Sequence, residues 1–323
     1  MRLIDIGVNL MNSAFDGDRE EQILKAKKAG VGPLIITGSS LEQSRAALDF
    51  ARVHGLYATA GVHPHNARYW NKESAALIRS MALPGGPAAG TGTAAGGTET
   101  GAGGTGTAAA GTEAADAGAV AGAAGTATAD AGAIALGECG LDYDRDYSPR
   151  AEQRRCFEEQ VKLAAELKLP LFLHVRSSPR GGSAWEDFFG ILKTYRRDLT
   201  RMVVHCFTGS AGELEGCLEL DAYIGITGWV CDERRGRHLW PLLGRIPAKR
   251  LLLETDAPYL LPPSLSPGGR RGRNESANLV YIAGFIAQKL GKTVETLAEE
   301  TFKNTVEFFN LKIARTGENP SGF

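Results

Sequence analysis

Four side chains capable of holding a divalent cation fall where short apolar runs stop: Glu138 after Ile134–Gly137, His174 closing Pro170–His174, His205 within Met202–Cys206, and Asp256 just past Arg250–Glu254. An apolar run buried on both faces offers no reason to end on an imidazole or a carboxylate unless something offsets the desolvation, and a cation does so. Two imidazoles and two carboxylates from separate strands make a mixed nitrogen and oxygen site. It suits Zn2+, Mn2+ or Mg2+, with water filling the open positions. A single residue of this kind is more often structural, whereas four that converge define a candidate site.

The elements that must position them alternate along the chain. Eight β-rich runs, Leu3–Val8, Pro33–Thr37, Tyr57–Val62, Ile134–Gly137, Pro170–His174, Met202–Cys206, Ala222–Ile226 and Arg250–Glu254, are separated by amphipathic helical patterns. These patterns cover Asp18–Ala29, Leu41–His54, Lys72–Leu83, Glu152–Leu167, Ser183–Tyr195, Ala211–Leu220, Arg237–Gly244 and Asn278–Leu290, and Val294–Phe309 is expected to pack outside as a closing helix. Nearly continuous apolar strands imply a parallel sheet covered on both faces. Eight strand-then-helix units imply an α/β chain of the (β/α)8 TIM-type barrel class rather than an open doubly wound sheet, and no G-x-G-x-x-G follows the first strand.

Composition narrows the reading. The 323 residues are 43% hydrophobic and 23% charged, which excludes a wholly disordered chain. Residues 85–133 stand apart as a low-complexity Gly/Ala/Thr stretch, read as a disordered insertion in a helix-to-strand loop of an otherwise single hydrolase domain, on the barrel face away from the ligand set. The stretch carries four of the 37 acidic residues and none of the 36 basic ones, so the remainder has a balance of only +3. A broad nucleic-acid-binding field is therefore excluded, and any phosphate attraction must be local. Five cysteines with no C-x-x-C pair read as reduced thiols. No long apolar run points to a membrane, and the expectation is a cytoplasmic or nuclear protein, monomeric.

Six motifs in order, Asp5-Ile6-Gly7-Val8-Asn9, Gly61-Val62-His63-Pro64-His65, Gly137-Glu138-Cys139-Gly140-Leu141-Asp142, His205-Cys206-Phe207-Thr208-Gly209, Gly225-Ile226-Thr227-Gly228-Trp229 and Glu254-Thr255-Asp256-Ala257-Pro258-Tyr259-Leu260, resemble the TatD family of metal-dependent deoxyribonucleases. The resemblance runs from near Leu3 to about Leu311 and implies a barrel of the metallo-dependent hydrolase superfamily. It implies hydrolysis of DNA phosphodiesters, from a 3′ end and with preference for single strands, RNA being a further substrate. The family's ligands carry over as Glu138, His174, His205 and Asp256, for one or two ions, Mg2+ ahead of Mn2+ or Zn2+. Two departures stand out. The superfamily's opening H-x-H pair is Gly7 and Asn9 here, as in the bacterial TatD subgroup, which puts a full two-metal site in question. The N-E-P signature reads Asn274-Glu275-Ser276, with the serine expected to cap the helix that follows.

Phosphodiester cleavage needs a hydroxide, neutralised phosphoryl oxygens and a stabilised leaving oxygen. Asp256 is read as the group that deprotonates the water or, equally, as a plain ligand. Glu138 is counted with it as catalytic. His63 and His65 flank Pro64 in a turn facing the mouth, to donate to a phosphate or to the leaving group. Arg176, two residues past His174, either pairs with a phosphate or bridges a rim carboxylate. The runs Arg234–Arg237 and Arg270–Arg273 are the candidate basic patches, with Arg273 and Asn274 read as substrate contacts, while Trp229 and Tyr259 either stack on bases or pack. Asp142 is read as support for the metal site. Two other readings remain: a related hydrolase of amides or other esters, and a non-catalytic scaffold.

Overall fold

The computed structural model describes residues 1–83, 132–178, 181–266 and 272–313. Almost all of the 85–133 stretch, and the arginines at 270 and 271, therefore lie outside the described residues.

The described residues form eight strands, β1 (Leu3–Val8), β2 (Val31–Ile36), β3 (Tyr57–Ala58), β4 (Leu136–Asp142), β5 (Leu171–Arg176), β6 (Met202–Val204), β7 (Tyr223–Ile226) and β8 (Leu251–Leu253). All pair in parallel and in sequence order, β1-β2-β3 and β4-β5-β6-β7-β8. Backbone bonds bridge both seams. Ala60 pairs with Leu136 between β3 and β4, while the N–H groups of Asp256 and Asn9 donate to the carbonyls of Gly7 and Ala257 between β8 and β1. The order and pairing are those of the expected TIM-type α/β fold.

Among the described residues nine helices surround the strands: α1 (Arg19–Lys28), α2 (Leu41–His54), α3 (Lys72–Ala82), α4 (Arg150–Leu167), α5 (Ala184–Tyr195), α6 (Ala211–Glu219), α7 (Trp240–Leu243), α8 (Leu279–Leu290) and α9 (Val294–Phe309). Their limits follow local chemistry. Ser40 accepts from the N–H of Gln43 to start α2, and Gly55, at φ 64°, ends it in the left-handed region. Reciprocal capping boxes start α3 (Asn71 with Ser74) and α6 (Ser210 with Glu213). No helix among the described residues is long and apolar enough to cross a membrane.

The core has two layers. The larger lies between strands and helices, and the smaller fills the barrel with Ile4, Ile6, Ile35, Tyr57, Phe172, Val203 and Leu252. Phe308 and Phe309 at the end of α9 belong to this inner layer, with Phe308 edge-on to Tyr223 at 4.9 Å. The expected exterior packing of the closing helix is thus corrected: its apolar end plugs the barrel floor. The reason is geometric, since the inner layer would otherwise face water at the N-terminal mouth.

Several boundaries shift from those expected. Strands β4 and β5 continue past Gly137 and His174, so Glu138 and His174 sit inside strands rather than at their ends. β4 carries one extra residue relative to β5 between Leu136 and Cys139, a bulge that re-aims the side chain at 138. β3, β6 and β8 are shorter than the apolar runs, which continue as irregular segments carrying His63, His205 and Asp256.

At the opposite end of the barrel from those residues, the N–H of Ala133 donates to the carbonyl of Met81 at 2.8 Å, so the chain leaves α3 and re-enters toward β4 at nearly one point. Replacing residues 84–131 by a four-residue turn is expected to keep the unfolding free energy within about 2 kcal/mol and to leave catalysis intact. Thermal unfolding of the shortened chain checks this; a collapse in Tm would mean that the segment contributes to the core.

Candidate metal centre

Three imidazoles converge on one carboxylate oxygen. Glu138 Oε1 lies 3.0 Å from His174 Nδ1, 3.2 Å from His205 Nε2 and 3.3 Å from His63 Nε2. The four come from β4, β5 and the segments after β3 and β6, and all are buried. Glu138, His63 and His174 place one ligand atom each within 4.8 Å of one another. Asp256 stands beyond β8, its Oδ1 accepting from Asn9 Nδ2 at 2.8 Å. Asn9, at a position where the superfamily offers a histidine, thus orients a carboxylate instead.

The second nitrogen of each ring decides what the first can do. His205 Nδ1 donates to Glu254 Oε2 at 2.9 Å, leaving the Nε2 lone pair aimed at the cluster. His174 turns Nδ1 to the cluster, while its buried Nε2 faces Asp142 Oδ2 at 3.5 Å and makes no hydrogen bond. His63 differs, because its Nδ1 accepts the backbone N–H of His65 at 3.1 Å. A neutral His63 must then carry its proton on Nε2 and present a donor, not a lone pair. The geometry separates two ligand-type imidazoles from one donor-type imidazole.

Two lone pairs and a carboxylate oxygen crowded within about 3 Å repel one another unless positive charge lies among them, and a divalent cation or protons can supply it. The protonation tendencies carry this demand. Burial disfavours charge on Glu138, yet the surrounding imidazoles outweigh it and hold the carboxyl well below its ordinary range. Burial likewise opposes charge on His205, but Glu254 and Glu138 push it well above the usual imidazole value, and His174 moves up in the same way through Asp142 and Glu138. Burial dominates at His63, lowering it to about 4, and at Asp256, raising it to about 7 with help from the charges of Glu138 and Glu254. The residues present fit a divalent cation: one anionic oxygen, two imidazole lone pairs and an adjacent carboxylate.

Around this centre, His65 Nε2 lies 2.8 Å from Asp142 Oδ2, and Arg176 reaches the same oxygen at 3.7 Å. Asp142 is fully buried, yet His174 and His65, with the N–H of Arg145 behind them, outweigh the burial and hold its carboxyl far below the usual range. Its expected place beside the site holds. Arg176 stands near a buried carboxylate rather than a rim one, on a side chain that is itself exposed. Two substrate readings need correction. Asn274 is completely buried, donating to the carbonyl of Thr255 and accepting from Asn278 and Glu275, because its amide ties the loop after β8 to the start of α8. Arg273 is spent on Asp18 (2.5 and 2.8 Å) and the carbonyl of Ala14, over the ring of Phe15. Nor does Ser276 cap a helix: its hydroxyl donates to Asp5 Oδ2 at 2.7 Å.

Two acidic residues went unassigned in the sequence. Glu254 is one; Asp5 is the other. Asp5 accepts the N–H and hydroxyl of Thr255 (2.9 and 2.6 Å) as well as Ser276, and burial still raises it to about 6. Since the folded value exceeds the ordinary 3.8, the folded state holds this proton more tightly than the unfolded chain. The contribution to stability is full below about pH 4 and is lost as pH rises to about 6, by roughly 3 kcal/mol. Urea titrations at pH 4 and pH 7 should therefore show Asp5→Asn gaining on wild type by about that amount at the higher pH. A difference independent of pH would refute the buried charge.

Comparisons with known proteins bear on these residues. The family model described as TatD related DNase matches residues 4–310. A relative from Cronobacter sakazakii named 3′-5′ ssDNA/RNA exonuclease TatD is 41% identical over 308 residues, covering 95% of this chain and 97% of its own. One of the same name from Erwinia tasmaniensis is 40% identical over 311 residues, covering 96% and 100%. Among solved structures, a TatD homologue from Escherichia coli superposes with a TM-score of 0.72 at 24% identity, covering 96% of this chain and 98% of that one, a likeness of fold. The chain belongs to the TatD-related DNase family of nucleases.

Proposed function

We propose that this chain is a metal-dependent exonuclease that removes nucleotides from the 3′ end of single-stranded DNA, and of RNA, as a monomeric single-domain barrel in the cytoplasm. The observation that carries the chemistry is the convergence of His174 Nδ1 and His205 Nε2 on Glu138 Oε1 beside Asp256. Glu138, His174, His205 and Asp256 would hold the ion, Mg2+ or Mn2+ suiting the oxygen-rich side and Zn2+ the imidazoles. When bound, the ion supplies a water of lowered pKa and a Lewis acid for a phosphoryl oxygen.

The rest of the chemistry belongs to side chains. Asp256, fixed through Asn9 and partly buried, accepts the proton of the attacking water. His63 offers Nε2–H to a phosphoryl oxygen, because its other nitrogen is engaged by the backbone. His65, backed by Asp142, is positioned to protonate the leaving oxygen, and Arg176 pairs with a neighbouring phosphate. The two relatives named as 3′-5′ ssDNA/RNA exonucleases support the polarity and the substrate. The five free cysteines support a reducing compartment.

A 5′-labelled single-stranded oligonucleotide tests the reading. Stepwise shortening from the 3′ end, abolished by EDTA and restored by one of Mg2+, Mn2+ or Zn2+, is expected. Internal cuts, or shortening from the 5′ end, would overturn the polarity; cleavage that survives metal removal would overturn the mechanism.

A further inference from the structure

Three of the exposed tyrosines lie on loops at the catalytic end of the barrel: Tyr69 after β3 (70% exposed), Tyr147 after β4 (54%) and Tyr259 after β8 (52%). Tyr147 is the one in line with the centre. Its ring stands edge-on to His65 at 4.7 Å, His65 is edge-on to His63 at 4.2 Å, and His63 to His174 at 4.5 Å. A line of aromatic rings thus runs from the metal ligand His174 to an open aromatic face. The Tyr147 ring is itself more than half exposed.

The position of Tyr147 is preset. The adjoining Ser148 is fully buried, donates to the carbonyl of His65 at 2.8 Å and accepts the N–H of Arg68 at 3.1 Å. These bonds pin the loop after β4 to the turn that carries His63 and His65, which sets the backbone of Tyr147 beside those imidazoles. A half-exposed aromatic face held rigidly costs little further entropy when a planar ligand settles on it.

We propose that Tyr147 is a stacking platform for one unpaired nucleobase within a nucleotide of the scissile phosphate, a specificity-determining residue that selects single strands. The inference rests on the nuclease reading above. Every base has a π-face, so such a platform is tolerant of sequence and of sugar. The penultimate base of a duplex has both faces occupied, and reaching Tyr147 would require unstacking it, while a terminal base would have to leave its pair to follow the strand into the mouth. Selection against duplex therefore needs no steric gate.

The test combines Tyr147→Ala and Tyr147→Phe with single-stranded substrates carrying an abasic residue at the terminal or the penultimate nucleotide. Tyr147→Ala is expected to raise KM about tenfold, with the larger part of the loss in KM rather than kcat, and Tyr147→Phe to stay within about twofold of wild type. Removing the base at one of the two positions should cost wild type about tenfold and the Ala variant nothing further. Mn2+ affinity, followed by electron paramagnetic resonance, should be equal in the variants and wild type. An unchanged KM, an abasic penalty of equal size in wild type and Tyr147→Ala, a loss confined to kcat, or a parallel loss of Mn2+ affinity would each overturn the platform, the third by showing that Tyr147 acts through His65 and the last by showing that it acts through the metal-holding residues. If wild type hydrolyses no oligonucleotide, the nuclease reading has failed and takes this one with it. If it hydrolyses them and Tyr147→Ala behaves as wild type, only the platform has failed.

Discussion

Glu138→Ala is expected to lower kcat/KM on single-stranded oligonucleotide by about 10³-fold or more, with the chain still folded. The carboxylate is the common partner of three imidazoles, and two of them turn lone pairs toward it. On the proposed reading its removal deletes an anionic ligand and leaves His174 and His205 to repel or protonate, so affinity for a divalent ion is expected to fall together with turnover. Glu138→Gln retains the shape but not the charge and should fall nearly as far. Activity against metal concentration separates the outcomes: if saturating Mn2+ restored wild-type turnover to the Ala variant, Glu138 would be a ligand of convenience rather than part of the reaction. Unchanged activity at ordinary metal would remove the centre from consideration.

The second large effect is expected at Glu254, which touches no substrate. Its Oε1 accepts the N–H of Cys206 at 2.6 Å and its Oε2 the Nδ1–H of His205 at 2.9 Å, with no exposure to solvent. The space is made for it by two glycines: a Cβ at Gly7 or at Gly225 would lie 2.5 Å from its carboxylate oxygens. Gly7 is also one of the two positions where the superfamily's opening histidine pair is missing, so Glu254 fills the volume that a side chain there would need. Truncating one partner of a buried charged pair costs several kcal/mol, and loss of a carboxylate behind a ligating histidine typically costs 10- to 100-fold in metal affinity. Glu254→Ala is therefore expected to lose about 3–5 kcal/mol of stability, and its surviving folded fraction to bind Mn2+ at least about tenfold more weakly. Glu254→Gln, which keeps an acceptor for one of the two donors, should recover part of both. Equal metal affinity in all three chains, measured by calorimetry below their Tm, would show that Glu254 serves packing alone.

How much of this was legible in advance depends on which interactions are local. The periodicity of apolar residues placed α2 and α9 at their observed limits and identified all eight strands in order, because burial on one stripe or two faces is a property of consecutive residues. Strand ends were less legible. Apolar runs at β3, β6 and β8 extend past the ladders since an irregular segment entering the barrel mouth is buried as deeply as a strand. The insertion at 85–133 was visible from composition alone, and nearly all of it lies outside the described residues.

The site divides along the same line. Residue type and position singled out Glu138, His174, His205, Asp256 and His63, because ionisable groups beside apolar runs are conspicuous against their neighbours. What each can do was not determined there. The roles of the imidazoles depend on which nitrogen is engaged, and their partners are a carboxylate 49 positions away for His205 and a backbone N–H two positions away for His63. Asn274 and Arg273 looked like substrate contacts beside a catalytic loop, yet they are tied down by groups from other elements, Thr255 and Asp18. Asp5 and Glu254 were given no role because a carboxylate within an apolar run can be understood only once its donors are known. The sequence by itself determined the barrel order, the ligand-type residues and their common end of the sheet. The tertiary structure alone decided tautomer, partner and burial, since hydrogen-bond geometry and desolvation arise between segments that chain order leaves far apart.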